Sequence, residues 1–193
     1  DKRINVNVAA KQAIAAAALE LVDDGDALLI DSGTTALEFV RTLGARTGIT
    51  VITADLTIAN YIDESLPGVD VILLGGALRK GHRYLFGPLA MRGLEVLHAD
   101  KAFLCPTSLV PERGLMTNFE QMAEIKEAFL RAARLRVALL DASKVDAPGL
   151  MRFAGLSDID VLVMDADPDG VASAAIAALP DGARAPRLVC AGA

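Results

Sequence analysis

The residues best equipped for chemistry follow the first apolar run of the chain: Asp31, Ser32, Gly33, Thr34 and Thr35, ahead of Ala36, Leu37, Glu38 and Phe39. A strand, a turn of small residues and a helix start leave unpaired N–H groups pointing at whatever lies above them. Gly33 lets the backbone turn tightly, and the three hydroxyls add polar contacts. Such a turn can hold an anion such as phosphate, the helix end alone contributing ~0.3–2 kcal/mol. A second reading needs no ligand, because Thr35 and Glu38 have the Thr-x-x-Glu spacing of a capping box. The turn has neither a Walker lysine nor the G-x-G-x-x-G spacing. Asp31, ending the strand, either meets substrate hydroxyls or caps the turn.

Further along, paired glycines, Gly75 and Gly76, end another apolar run and leave room for a backbone or a ligand to approach. Arg79, Lys80, His82 and Arg83 follow, and read either as a loop that closes over a phosphate or as an exposed basic segment. Thr107 follows the fourth run. Thr117 and Glu120 form a second Thr-x-x-Glu box at the start of a helix. Asp141, Ala142, Ser143 and Lys144 place a hydroxyl and an ammonium after the fifth run, where a lysine can neutralise a sugar phosphate or stabilise a developing oxyanion. His82 and His98 have no partners in sequence that would make them metal ligands or bases.

These groups need a scaffold, and the pattern of apolar runs supplies one. Seven runs read as buried strands: 27–30, 49–52, 69–74, 102–105, 137–140, 161–164 and 188–190. They are continuously apolar, as in a parallel sheet covered on both faces. Segments of helical spacing separate most of them. Residues 11–22 carry Ile14, Ala17, Ala18, Leu21 and Val22 on one face, 123–134 follow Met122 with Ile125, Phe129 and Ala132, and 168–179 are rich in alanine. The expectation is an α/β fold with a mostly parallel, Rossmann-like sheet, helices on both faces and room for a small extra lobe. Asp31 to Thr35, Gly75, Gly76, Thr107 and Lys144 then share the carboxyl edge, where open α/β sheets bind ligands. Residues 78–87 and 109–118 break the pattern and read as loops.

Composition narrows the function classes. The 193 residues carry a net charge of −6, which disfavours a DNA or RNA backbone as a direct partner of this chain. A chain of this length buries roughly 70% of its unfolded surface and forms a core without metal or disulfide support. Cys105 and Cys190 stand alone, with no zinc or disulfide spacing, which suits a reduced cytosol. No apolar run is long enough for a membrane span, and neither a metal nor a cofactor is signalled. The start at Asp1 suggests a piece of something longer.

The order of several short motifs resembles one family. Asp31 to Glu38; Val51, Ile52, Thr53; Val71 to Arg79; Gly87 to Ala90; Asp100 to Phe103; Gly114 to Thr117; Ala142 to Lys144; and Leu156 to Asp160 together are similar to the effector-binding domain of DeoR-type bacterial transcriptional regulators, from about residue 10 to residue 165. The resemblance implies a fold like ribose-5-phosphate isomerase. It also implies a phosphorylated sugar or related metabolite as ligand, homo-oligomers, and operator DNA bound through an N-terminal helix-turn-helix module absent from this chain. It makes residues 1–193 one sensor domain. It assigns Ser32, Gly33, Thr34 and Thr35 to a phosphate cradle, Asp31, Gly75 and Gly76 to the pocket edge, and Glu120 and Lys144 to contacts across the ligand. Two turns depart from the family pattern. Cys105-Pro106-Thr107-Ser108 replaces a Gly-Ala-Asp-Gly type turn, and Thr53-Ala54-Asp55 replaces Thr-Asn-Ser.

Three functions follow. A metabolite sensor needs only different ligand affinity in two states, ~1–3 kcal/mol of coupling giving about 5- to 150-fold. A phosphosugar isomerase needs a base and an enediolate-stabilising group, roles open to Glu120 or Asp31 and to Lys144. A pure oligomerisation domain needs neither, and has no use for so many hydroxyls in one strand-to-helix turn. The sensor is the expected function.

Overall fold

The computed structural model describes residues 7–192. All seven expected strands form, and they make one sheet: β1 (Ala27–Ile30), β2 (Thr50–Thr53), β3 (Asp70–Leu73), β6 (Ala99–Leu104), β9 (Ala133–Leu139), β11 (Val161–Met164) and β12 (Arg187–Cys190). The spatial order is β12-β11-β9-β6-β1-β2-β3, and every pairing in it is parallel. The chain grows outward from β1 to β3, then returns to the other side of β1 and grows from β6 to β12. The strand order therefore reverses between β1 and β6. A crevice at such a switch point is where a ligand meets the carboxyl ends of two diverging strands.

Helices cover both faces, which explains the continuous apolar strands. On one face α1 (Val8–Leu19), α2 (Thr34–Val40) and α3 (Leu56–Ser65) bring Ile14, Ala18, Phe39, Val40, Ile58 and Ile62 onto Leu28, Ile30, Val51 and Phe103. On the other, α4 (Pro88–Glu95), α5 (Glu120–Ala132) and α6 (Val171–Ala177) bring Leu94, Ile125, Phe129 and Ala172 onto Leu29, Ile52, Ala102 and Leu162. Successive strand residues alternate between these two cores, as the pleat requires.

The element boundaries shift for local reasons. Helix α1 starts three residues before the expected Lys11, after Asn7 in the left-handed region (φ 55°). Helix α5 starts at Glu120 and runs directly into β9 at Ala133, so Arg134 belongs to the strand. The helix expected over 168–179 divides into a 3₁₀ turn, Pro168–Gly170, and α6.

The two segments expected as loops are β-hairpins. Residues 78–87 contain most of a hairpin of β4 (Ala77–Arg79) and β5 (Tyr84–Phe86). Residues 109–118 hold most of β7 (Ser108–Val110) and all of β8 (Gly114–Thr117), which with β10 (Met151–Ala154) form a three-stranded sheet, the small extra lobe. Strands of three or four residues are too short to establish a period of two. The turn residues between them, Lys80 to Arg83 and Pro111 to Arg113, dominated the composition of both segments.

Both hairpins are fastened to the carboxyl edge of the main sheet. Tyr84 pairs with Asp55 just after β2, Leu56 N–H donates to the Arg83 carbonyl (2.8 Å), and Leu85 N–H donates to the Ala54 carbonyl (2.9 Å). Gly76 makes this approach possible, since a Cβ there would lie 2.5 Å from the Phe86 carbonyl oxygen. The room that the paired glycines leave is thus filled at Gly76 by backbone, while the space around Gly75 is open. On the other side Asp146 N–H donates to the Leu109 carbonyl (2.9 Å), which ties the small lobe to the segment after β9.

Candidate functional site

At the switch point β1 delivers Asp31 beside the end of β6. The Asp31 N–H donates to the Phe103 carbonyl (3.0 Å), and its carboxylate accepts the N–H groups of Ser32 (2.8 Å) and Cys105 (2.9 Å). The same carboxylate forms an ion pair with Lys126 of α5, whose ammonium also donates to the Cys105 carbonyl (3.3 Å) and lies 5.5 Å from the centre of the Phe153 ring. Both partners are buried, Asp31 to 2% exposure and Lys126 to 3%. Asp31 is thus the floor of the turn, and it caps rather than reaches outward.

Above this floor Ser32 and Thr34 are half-buried, Gly33 is exposed and Thr35 is buried. Gly33 adopts φ 125°, with nothing within 4 Å of where a Cβ would stand. The first capping box does not form. Helix α2 begins at Thr34 with Gly33 as its cap and no side-chain cap bond, and Glu38 faces Arg41 instead (3.7 Å). The second box also fails: α5 is capped by Phe119 without a side-chain bond, and Thr117 is a buried β8 residue. Both threonine–glutamate pairs lose their structural explanation because each helix starts at a different residue from the one the spacing implies. Glu120 is left exposed at the first position of α5.

The departing residue Asp55 is the N-cap of α3 and accepts the Ile58 N–H (3.0 Å). Burial pushes its carboxyl above the usual carboxylate range, although N–H groups of Ile58, Thr57 and Gly33 favour the charged form. An internal carboxylate therefore already uses the Gly33 N–H. At the other departure, burial and the neighbouring Asp31 push the Cys105 thiol up to about 12, against the opposing pull of Lys126 and the Ala36 N–H. The thiol stays protonated near neutral pH and is a poor nucleophile. Thr107 opens the β7–β8 hairpin, its N–H and hydroxyl both donating to the Met116 carbonyl (3.0 Å each).

The remaining candidates flank this centre. Lys144 ends a 3₁₀ turn, Ala142–Lys144, after β9, while Gly75 follows β3. The strands they follow, β9 and β3, each lie two strand spacings from β1, about 10 Å, on opposite sides. On the hairpin side, the Arg79 guanidinium lies 3.9 Å from the centre of the Phe119 ring and also bonds the Tyr84 hydroxyl, which sets it beside the start of α5. Lys80 and Arg83 occupy the exposed hairpin turn, and Arg83 lines a groove against α3. The turn from Ser32 to Thr35 lies at the carboxyl edge, as expected, whereas Lys126 was missed. The signal was present: Lys126 falls four residues after Met122 and three before Phe129, on the apolar face of α5, where a lysine requires a carboxylate partner.

A strand order that reverses over a small-residue turn, floored by a buried ion pair and flanked by two hairpins, fits known proteins in one consistent way. The profile of the DeoR C-terminal sensor domain matches residues 6–166. The chain belongs to this family. The HTH-type transcriptional repressor GlcR of Bacillus subtilis (strain 168) is 31% identical over 82% of the sensor chain and 60% of its own length. The transcriptional repressor AccR of Agrobacterium fabrum is 31% identical over 82% of the sensor chain and 62% of its own length. The sensor chain thus spans about three fifths of the curated relatives it matches. Among solved structures, a D-ribose-5-phosphate isomerase in complex with phospho-erythronic acid has a TM-score of 0.52 at 16% identity, covering 70% of the sensor chain and 52% of its own. The tetrameric eIF2B-beta2-delta2 complex from C. thermophilum has a TM-score of 0.55 at 16% identity, covering 79% and 53%. These likenesses are of fold, whereas the family is one of regulatory sensors and not of enzymes.

Two outcomes test this geometry. Lys126→Met leaves a buried carboxylate unpaired and should lower the unfolding free energy by about 3–5 kcal/mol in urea titrations, while adding Asp31→Leu restores most of the loss. Equal loss in the single and double variants would contradict the pairing. For Asp55 the native proton is held to higher pH than in the unfolded chain. Its contribution is full in acid and is lost as pH rises through the raised native value. The stability of wild type minus that of Asp55→Asn should therefore fall as pH is raised from about 4 towards neutrality. A rise would contradict the burial of that carboxyl.

Proposed function

We propose that this sensor domain binds a phosphorylated sugar or closely related metabolite at the switch point between β1 and β6. The hydroxyls of Ser32, Thr34 and Thr35 and the N–H groups of Thr34 and Thr35 receive the phosphate around the turn that Gly33 makes, and the remainder of the ligand extends over the β6 turn. Glu120 and Arg79 bound the ligand on the hairpin side and Lys144 on the side of β9, with Asp31 and Lys126 as the floor. The observation that carries this reading is that neither Thr35 nor Glu120 is used in capping. The hydroxyls and the carboxylate retain the capacity to meet a polar ligand. Helix α2 has only seven residues, so attraction for phosphate comes from local N–H and O–H donors and from nearby cations more than from a helix dipole.

In the parent protein, a ligand that binds two conformations unequally shifts the balance between operator-bound and released states. A homo-oligomer and an N-terminal DNA-binding module complete that reading, the acidic domain itself making no contact with DNA. Binding suffices here. With Asp31 committed to Lys126 and the Cys105 thiol protonated, the floor of the site offers no free base or nucleophile.

Titration calorimetry against a panel of sugar phosphates, their unphosphorylated parents and inorganic phosphate tests the proposal. At least one sugar phosphate should bind more tightly than inorganic phosphate, and its parent sugar should not bind. Ser32→Ala and Lys144→Ala should each weaken that binding about tenfold, the loss of one charge-assisted hydrogen bond. No preference over inorganic phosphate, or variants that bind as wild type, would overturn it.

A further inference from the structure

The two edges of the seven-stranded sheet are unlike. Strand β12 begins with the exposed Arg187 and keeps Leu188 and Val189 half-buried, which blunts it against further pairing. Strand β3 lacks such protection along its centre. Among the described residues its partner is β2, on one side only, and Ile72 (43% exposed) and Leu73 (40%) present apolar side chains on opposite faces of this edge strand. Leu78 of the adjoining hairpin is 48% exposed. An edge that is apolar on both faces and carries unpaired N–H and C=O groups is a template for another strand.

The charges beside this edge show what kind of strand fits. An open groove of about 580 Å³ runs between α3 and β3, lined by Leu56, Ala59, Val71 and Leu73. It has Arg83 near one end and Asp63 near the other. Helix α3 runs against the direction of β3, so Asp63 lies towards the amino edge, where Glu64 and Asp70 are also exposed. Arg83 lies at the carboxyl edge, where its carbonyl meets the Leu56 N–H, with Lys80 exposed next to it. The edge is acidic at one end and basic at the other. A two-fold axis normal to the sheet runs two copies of β3 antiparallel and sets each basic end against the partner's acidic end. A polar edge of this kind complements itself.

We propose that the chain associates with a second copy of itself through β3, pairing antiparallel across a two-fold axis, with Ile72 and Leu73 packed at the centre and Arg83 facing Asp63 of the partner subunit at each end. The result is one continuous sheet through both copies. The surface lies outside the carboxyl-edge crevice, so this inference and the sensor reading stand or fall separately.

Analytical ultracentrifugation of the chain tests it. Wild type should sediment at twice the 20.2 kDa chain mass or a multiple of that, and Leu73→Lys or Ile72→Lys should halve the mass. Asp63→Arg and Arg83→Asp should each raise the dissociation constant about tenfold, and combining them should return it to within a few-fold of wild type, because the reversed charges again face each other across the axis. These two positions are on the surface, and thermal melts by circular dichroism verify that the variants fold. A wild type that is monomeric at about 100 µM, well above the dissociation constants of stable complexes, would overturn the proposal. So would an assembly indifferent to the edge variants, as expected if another face or another protein is the partner, or failure of the double charge reversal to restore association. Calorimetry on Leu73→Lys with the same sugar-phosphate panel separates the two readings: retained ligand binding in a monomer supports an interface distinct from the site.

Discussion

The ion pair between Asp31 and Lys126 is the contact on which the site depends. Removing a carboxylate and an ammonium from water costs several kcal/mol per ion, so a pair buried to 2% and 3% exposure persists only where further polar groups surround it. Here they do. The N–H groups of Ser32 and Cys105 satisfy the carboxylate, and the Cys105 carbonyl takes a second proton of the ammonium. One interaction thus ties the end of β1, the end of β6 and the buried face of α5 to each other. These three elements meet where the strand order reverses, and their relative placement fixes where the hydroxyls of Ser32, Thr34 and Thr35 stand and where α5 begins.

Above that floor the hairpins are held mainly by backbone bonds. The β4–β5 hairpin is stitched to the turn after β2, and the small lobe to the segment after β9. Arg79, stacked on Phe119, carries the hairpin to the start of α5. In the proposed binding mode a ligand's contacts would come from elements joined through a few polar links, an arrangement suited to reporting occupancy. A shift in α5 or in either hairpin changes the surface without demanding any reaction. The solved structures of similar fold include an isomerase. In the sensor chain, however, the turn after β6 carries Cys105, Pro106 and Thr107, and the thiol remains protonated.

The main sheet was legible in the sequence because both of its faces are covered. Burial on two sides leaves continuous apolar runs that, with their length and flanking turns, mark strands, and β1 and β11 begin and end where those runs do, while β6 and β9 begin three and four residues earlier, at Ala99 and Ala133. The hairpins were not legible, since strands of three or four residues beside Gly81 or Pro111 have the composition of loops. The turn of the candidate site could be placed at the carboxyl edge because a strand-to-helix turn of Ser, Gly and Thr is a local feature. Its floor could not, because Lys126 and Asp31 lie 95 residues apart and only the packed fold brings them together. The helix caps failed for a related reason. Spacing alone permits a Thr-x-x-Glu box, but tertiary packing decides which residue starts the helix, and here it selects Gly33 and Phe119.

On the proposed function, the phosphate of a small metabolite is received at the β1–β6 switch point. An amide-resolved NMR titration of the ¹⁵N-labelled chain with inorganic phosphate measures this most directly. The largest shifts should fall on the N–H signals of Ser32, Thr34 and Thr35 and on the residues that contact them, and Ser32→Ala should diminish them. Shifts centred instead on the amino edge of the sheet or on the groove beside α3, with residues 32–35 unmoved at saturating phosphate, would contradict it.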